Sequence, residues 1–310
     1  MTRTVVTGGA GRLGRSLVAG LARLGHDVLS LDREVADPAV FAGIAGIEQQ
    51  AIDLTDADAT VAALEAAQAD AVIHLAAIAV PFSAPEDVIL RTNASLAMSV
   101  LGGAARAGIG RIVAASSPTV LGYGAPGWLP ERFPLDEQTP PRPAHAYGLS
   151  KLLIEQTIAM LQRQRDDLCF ASFRPCYVIA PEEWQGTPTQ QGHTVRQRLE
   201  DPALAAPALF NYVDARDVAT FVDVLLQALP TLPGGETFFV GADDALAREP
   251  LADLLPRFVP GSDAIAAGLT GTAPAFSTDK ARRLLGWHPE RRWRTELTLT
   301  DHIAPSGVPA

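Results

Sequence analysis

The sequence predicts an α/β protein: a doubly wound parallel sheet with a smaller C-terminal substrate-binding part. Three observations lead there. Short apolar runs alternate with amphipathic, alanine-rich stretches through the first half of the chain, the rhythm of a parallel sheet covered on both faces. A glycine-rich turn separates the first apolar run from the first amphipathic stretch. The 310 residues are 47% apolar, enough to bury a full core without staples.

In order, the pattern predicts a strand at Thr4–Thr7, a helix at Gly14–Leu24, a strand at Asp27–Leu31 and a third strand ahead of Asp53. A helix at Ala59–Ala67 and a strand at Ala71–Leu75 follow. A long helix at Asp87–Ala107, a strand at Arg111–Ser116, a helix at Tyr147–Arg165 and a strand at Cys169–Arg174 complete six strands. The stretch Pro181–Pro207, rich in Pro, Gln, Gly and Thr, reads as a loop or lid. A helix at Asp214–Ala228, a strand at Glu236–Val240 and helices at Leu251–Phe258 and Thr278–Leu285 finish the chain. The expected division is a dinucleotide-binding domain over 1–175, with 208–241 returning to it, and a smaller substrate-binding part over 176–207 and 242–310.

Composition narrows the function. Cys169 and Cys176 lie in or beside an apolar run without metal-ligand spacing, so buried thiols are expected, with no disulfide and no metal, as suits a reducing cytosol. The N-terminus reaches glycines too soon for a signal-peptide core, and no membrane span is expected. A formal net charge of −10 without a basic tract argues against nucleic acid and anionic membranes. Arg291 to Arg294, broken by Trp293, reads as surface decoration.

The segment Thr7-Gly8-Gly9-Ala10-Gly11-Arg12-Leu13-Gly14 places glycines three apart between strand and helix. Gly8 allows a tight turn, Gly11 lets backbone approach a pyrophosphate, and Gly14 lets helix pack on strand, while the helix N-terminus offers N–H groups to the anion. Asp32 ends the second strand eighteen residues later, where a carboxylate accepts from ribose hydroxyls. Together these predict a Rossmann-type site. Asp32 would repel a 2′-phosphate, so NAD is expected in preference to NADP, although Arg12 and Arg33 are cations that could pair with that phosphate. Asp53-Leu54 and Leu75-Ala76-Ala77 fall at the strand ends where ligands of open sheets collect. His74 reads either as a strand-end histidine held by a backbone hydrogen bond or as a chemical group, and Asn93 is similarly open.

Tyr147 and Lys151 are four residues apart, on one helical face. An adjacent cation and the charge of an oxidised nicotinamide favour phenolate, so this pair is the expected proton-transfer couple, and Lys151 can also hold a ribose. A hydroxyl to orient substrate oxygen is available at Ser116, Ser117 or Thr119.

With these residues assembled, the chain resembles the extended short-chain dehydrogenase/reductase family, also called the NAD-dependent epimerase/dehydratase family, from Thr4 to about Trp287. The glycine loop, Asp32, Asp53-Leu54, His74-Leu75-Ala76-Ala77, the Ser-Ser segment, Tyr-x-x-x-Lys and Arg174-Pro175 occur in family order. The resemblance implies a catalytic Ser117, a structural Ser116, Thr119 as a substrate contact, and Pro175, Cys176 and Val178 lining the nicotinamide pocket beside Tyr177. It also implies a homodimer pairing the helices after Asp87 and after Tyr147. In sugar-nucleotide members the position of Tyr177 resembles an Asn and that of Phe210 an Arg, both holding diphosphate, and Leu121 stands where many have Tyr. Losing those donors favours a small polar alcohol or carbonyl as substrate, with a sugar-nucleotide epimerase or dehydratase as the alternative. Arg216 is a candidate contact for a carboxylate or phosphate, with a helix-surface salt bridge as the other reading. Gln185, Gln190, Gln191, His193, Arg196 and Arg198 are donors scattered over the lid.

Overall fold

The computed structural model describes residues 2–303. Its first elements follow the predicted rhythm: β1 (Arg3–Thr7), α1 (Arg12–Arg23), β2 (Asp27–Asp32), β3 (Ile47–Ala51), α2 (Ala57–Ala67), β4 (Ala71–His74), α3 (Glu86–Arg106), β5 (Arg111–Ala115), α4 (Ala146–Gln164) and β6 (Cys169–Pro175). β4, buried at every residue, is a continuous apolar run, as a strand covered on both faces requires. β3, Ile-Glu-Gln-Gln-Ala, forms the polar edge.

The remaining elements are β7 (Val178–Ile179), α5 (Pro181–Trp184), α6 (Val195–Glu200), β8 (Val213–Asp214), α7 (Ala215–Ala228), β9 (Glu236–Val240), α8 (Leu251–Phe258), α9 (Asp263–Ala266), α10 (Asp279–Leu285) and α11 (Trp293–Ile303). The main sheet has seven parallel strands in the order β3-β2-β1-β4-β5-β6-β9. The seventh strand, β9, pairs with β6, so the chain returns to the sheet after its excursion through the lid. The order reverses between β1 and β4, and the crevice at this switch point opens where the strands end.

Three expectations change. Pro181–Pro207 is not an open loop: α5 and α6 bury Trp184, Val195 and Leu199 in an apolar cluster with Ile179, Tyr212, Leu246 and Trp293. The Arg291–Arg294 cluster is not mere decoration, because Arg291 bonds buried Asp217 at 2.5 Å and Arg294 bonds buried Asp244 at 2.7 Å. Finally, α3 has the length and apolarity to cross a membrane, contrary to the sequence reading. More than half of its apolar window is buried inside the protein, as in a core helix, and it packs against α2 and α4.

Candidate active site

Close packing shapes the cofactor-side crevice. Gly8 adopts φ +74°, and a Cβ there would sit 2.7 Å from the Ala76 nitrogen, so only glycine allows the β1 turn to touch the β4 turn. At Gly14 a Cβ would lie 2.1 Å from the Gly8 carbonyl oxygen. Gly11 is the N-cap of α1 and brings no side chain to that cap, which leaves the helix N-terminus open to an anion. The Asp32 carboxylate accepts from Ala10 N–H at 3.0 Å and from its neighbour Arg33 N–H at 2.7 Å, fixing it beside the glycine turn with lone pairs to spare. These features fit a dinucleotide.

Arg12 is engaged elsewhere. Its guanidinium donates to the Val178 carbonyl at 3.0 Å and pairs closely with Glu183 of α5, tying the glycine loop to the lid. That leaves exposed Arg33 as the loop-side cation next to Asp32. Asp53 is exposed, and hydrogen bonds from the Thr55 hydroxyl and N–H hold its carboxyl below the usual range. Leu54 is buried, whereas Leu75, Ala76 and Ala77 are partly exposed at the β4 end.

Asn93, expected among the cofactor contacts, is turned into the protein. It is 1% exposed, accepts from Ile78 N–H at 2.8 Å, and donates to the Ile78 carbonyl and to Ser150 Oγ. Its amide clamps the turn after β4 onto α4. His74 is held by the Thr7 hydroxyl at 2.9 Å rather than by backbone. Burial, assisted by the charge of Lys151, pushes its imidazole down to about 3, so it stays neutral.

The residues expected to react lie just past β5 and on α4. Ser117 caps the 3-10 turn Pro118–Leu121 and accepts from Thr119 N–H at 3.2 Å and Thr119 Oγ1 at 2.9 Å. Ser116 points the other way, donating to Glu155 at 2.5 Å, and Glu155 holds Arg174 through two bonds of 2.8 Å. The structural reading of Ser116 therefore fits. At the start of α4, His145 Nδ1 accepts from Gly148 N–H at 3.1 Å, and its ring stacks on Tyr147 at 6.2 Å. The Ser117 hydroxyl is near enough to Tyr147 to act on its hydroxyl. Lys151, 4% exposed, lies with Nζ 5.7 Å from the Tyr147 ring centroid and donates to the Ala115 carbonyl at 2.9 Å, which leaves two of its three donors.

The electrostatics differ from the sequence expectation. Burial pushes the Tyr147 hydroxyl up to about 12, against the pull of Ser117, and the lysine does not reverse this. Burial also draws Lys151 down to about 8 from 10.5. A proton-transfer couple of this kind needs further positive charge near the phenol. Between pH 8 and 10.5 the unfolded chain holds the lysine proton that the folded chain releases, so this group makes stability rise with pH across that window. Replacing Lys151 with methionine should thus stabilise the protein most at pH 7, with the advantage fading toward pH 10.5. Urea midpoints of both proteins across that range measure it, and a constant difference would contradict the burial effect.

Several groups facing this site escaped the sequence reading. The Asn211, Cys176 and Tyr147 side chains are near enough to Tyr123 to act on its hydroxyl, which burial pushes far up. Asn211 also accepts from Tyr177 N–H at 2.7 Å, so an amide stands beside position 177 although 177 itself lacks one. Pro175 and Val178 flank this turn, half-buried, and burial raises the Cys176 thiol. Phe210 and Leu121 are each 1% exposed and face the core. Arg216 is not available as a ligand contact: it forks onto Asp214 at 2.9 and 2.5 Å and reaches Glu296 at 2.7 Å. The signal for Asp214 was two residues away, but Glu296 lies 80 residues downstream. Of the lid donors, Gln190 and Gln191 meet Arg12 and Arg198, while Arg196 bonds the Leu297 carbonyl on another side.

A family model described as the NAD dependent epimerase/dehydratase family matches residues 4–241. The chain belongs to that family. That family is of the extended short-chain dehydrogenase/reductase type. Among curated relatives, this family member is similar to a UDP-glucose 4-epimerase of Azospirillum brasilense, 34% identical over 163 residues, covering 50% of this chain and 43% of that one. The match thus spans less than half of that relative. A 2-alkyl-3-oxoalkanoate reductase of Stenotrophomonas maltophilia is 26% identical over 313 residues, covering 97% and 88%. The crystal structure of a UDP-glucose-4-epimerase from Stenotrophomonas maltophila with bound NAD and formylated UDP-arabinopyranose superposes with a TM-score of 0.71 at 21% identity, covering 98% and 99%, which establishes the shared fold.

Proposed function

We propose that this enzyme transfers hydride between NAD and a small polar alcohol or carbonyl, sugar-sized or smaller, with Tyr147 moving the proton. The observation that carries this reading is the meeting of Ser117, Tyr147 and Lys151 at the end of β5, beside a glycine cradle that fits a dinucleotide. Gly8, Gly11, Leu13 and Gly14 would hold the phosphates, Asp32 the adenosine ribose, and Asp53 and Leu54 the adenine end. Leu75, Ala76 and Ala77 would pack along the cofactor, and Pro175, Cys176 and Val178 would line the nicotinamide side. NAD, when bound, would supply the hydride acceptor and a positive charge that favours phenolate.

In the oxidising direction Ser117 orients the substrate hydroxyl, Thr119 supporting it. Tyr147, as phenolate, takes the hydroxyl proton as the carbonyl forms; in the reducing direction it returns that proton to oxygen. Lys151, anchored on the Ala115 carbonyl, would hold the ribose with its remaining donors, and its charge would add to that of the oxidised nicotinamide in favouring phenolate. Arg12 and Asn93 serve this site by fixing the lid and the β4 turn. With Tyr177 lacking an amide and Phe210 turned into the core, neither position offers a donor for a diphosphate, which favours a compact substrate. The test is a panel of sugars, uronic acids and sugar nucleotides followed at 340 nm: net NADH formation or consumption supports the oxidoreductase. Turnover of a sugar nucleotide without absorbance change would support the epimerase alternative, which the match to the Azospirillum relative and the Asn211 amide beside Tyr177 favour.

Because Arg12 is paired with Glu183, only Arg33 remains to meet a 2′-phosphate, while Asp32 repels it. Calorimetry should find NAD binding tighter than NADP, and equal or tighter NADP binding would reverse the assignment. A cytoplasmic homodimer completes the reading. Met98 on α3 and Leu149 and Leu153 on α4 are exposed apolar side chains on the two helices expected to pair. Light scattering should give twice the chain mass at micromolar concentration, and Leu153→Glu should shift it toward one chain mass; a monomeric wild type would contradict this.

A further inference from the structure

Arg198 of α6 is 1% exposed, and among the described residues its Nε and Nη2 have no hydrogen-bond partner; only Nη1 is engaged, by Gln191. These two atoms form the edge of the guanidinium that binds a carboxylate or phosphate side-on. The same protein shows that edge in use. Arg174 places Nε and Nη2 on Glu155 at 2.8 Å each, and Arg216 places them on Asp214.

Among the described residues, no carboxylate is hydrogen-bonded to Arg198. Glu183 is the carboxylate that acts on it, and Glu183 is already paired with Arg12 and accepts from Ala180 N–H at 2.8 Å. Glu183 is thus committed to Arg12, and among the described residues the buried Arg198 guanidinium has no carboxylate bonded to it. Two further orphans accompany it. The Arg198 guanidinium lies 4.2 Å from the Tyr177 ring centroid, and the Tyr177 hydroxyl is buried without a partner, as is the Thr189 hydroxyl in the turn that carries Gln191. Tyr177 follows β6 by two residues, and its N–H donates to Asn211 at 2.7 Å.

We infer that Arg198, with Tyr177 and Thr189, is a subsite for an oxyanion, a carboxylate or phosphate, carried by the substrate. A buried guanidinium edge without a partner is costly, and a ligand that satisfies it is recognised strongly. The subsite takes the role that Arg216 cannot fill. It deepens the proposed oxidoreductase reading by naming the charge on the substrate, but binding can be read without turnover.

The test is calorimetric titration of the NAD-loaded enzyme with D-glucuronate, glucose 6-phosphate and D-glucose. At least one acidic probe should bind about tenfold or more tighter than glucose. Arg198→Gln should erase that preference while glucose and NAD affinities stay within about twofold, because each lost charged contact affects only the ligand that carries the charge. Arg198→Lys should recover part of it, a point charge replacing a fork. If Arg198→Gln fails to fold in a melting experiment, Thr189→Val serves in its place, with a loss of about threefold expected for the acidic probe alone. A wild type without preference for either acid, or a variant whose defect is confined to NAD, would overturn the subsite, the latter by assigning the anion to the cofactor. Arg198-dependent binding of an acid that is never oxidised or reduced would instead overturn the oxidoreductase reading and leave the subsite standing.

Discussion

Replacing Tyr147 with phenylalanine is expected to lower turnover by about 10²–10⁴-fold, the usual worth of general acid–base catalysis. The substitution removes one hydroxyl from a side chain that stacks on His145 and contacts Lys151, and both ring contacts persist in phenylalanine. Stability and NAD affinity should therefore change little. Ser117 acts on the same hydroxyl, so Ser117→Ala should act in the same direction but more mildly. Single-turnover rates with a substrate found in the panel measure the chemical step directly. A Tyr147→Phe enzyme within threefold of wild type would remove the tyrosine from proton transfer.

The largest expected loss of stability comes from Glu155→Ala. Glu155 and Arg174 are 9% and 4% exposed, and their two-point bridge is completed by Ser116 Oγ at 2.5 Å and by the face of Phe239 at 5.1 Å from the guanidinium. Removing the carboxylate strands a buried guanidinium, which costs about 3–5 kcal/mol. The double replacement Glu155→Leu with Arg174→Met should recover most of that, because two desolvated charges are exchanged for apolar contact. Urea unfolding of the three proteins decides it: equal losses in the single and double variants would show that packing, not the stranded charge, sets the penalty. The bridge lies directly behind Ser117, so the single variant should also reduce turnover by loosening the end of β5.

Local chemistry was readable in the sequence where it depends on residues close together. The glycine turn demands small residues at fixed spacing, Tyr147 and Lys151 share a helical face, and the strands of a buried parallel sheet announce themselves as apolar runs. What could not be read depends on partners far along the chain. Arg216 looked free until Glu296, 80 residues on, was seen to meet it. Arg12 belonged by sequence to the phosphate loop and by contact to Glu183, 171 residues away. Asn93 looked like a ligand contact because a buried clamp on Ile78 leaves no pattern. Arg198 was one of several scattered donors, and only its burial sets it apart. The lid read as a loop because short helices begun by proline or capped by threonine carry too few apolar positions to show a period.

The pairing of β7 with β8 has a consequence for how such an enzyme diversifies. Val178 lies opposite Val213 and Ile179 opposite Asp214, so the chain from 180 to 212 departs and returns through a two-rung clasp at the rim of the sheet. The cost of closing such an excursion grows only slowly with its length. Insertions or whole-segment exchange between the rungs can therefore reshape what the enzyme accepts while the strands that cradle the dinucleotide keep their register. Where the lid carries the substrate contacts, as proposed, the clasp makes acceptor specificity a replaceable cassette.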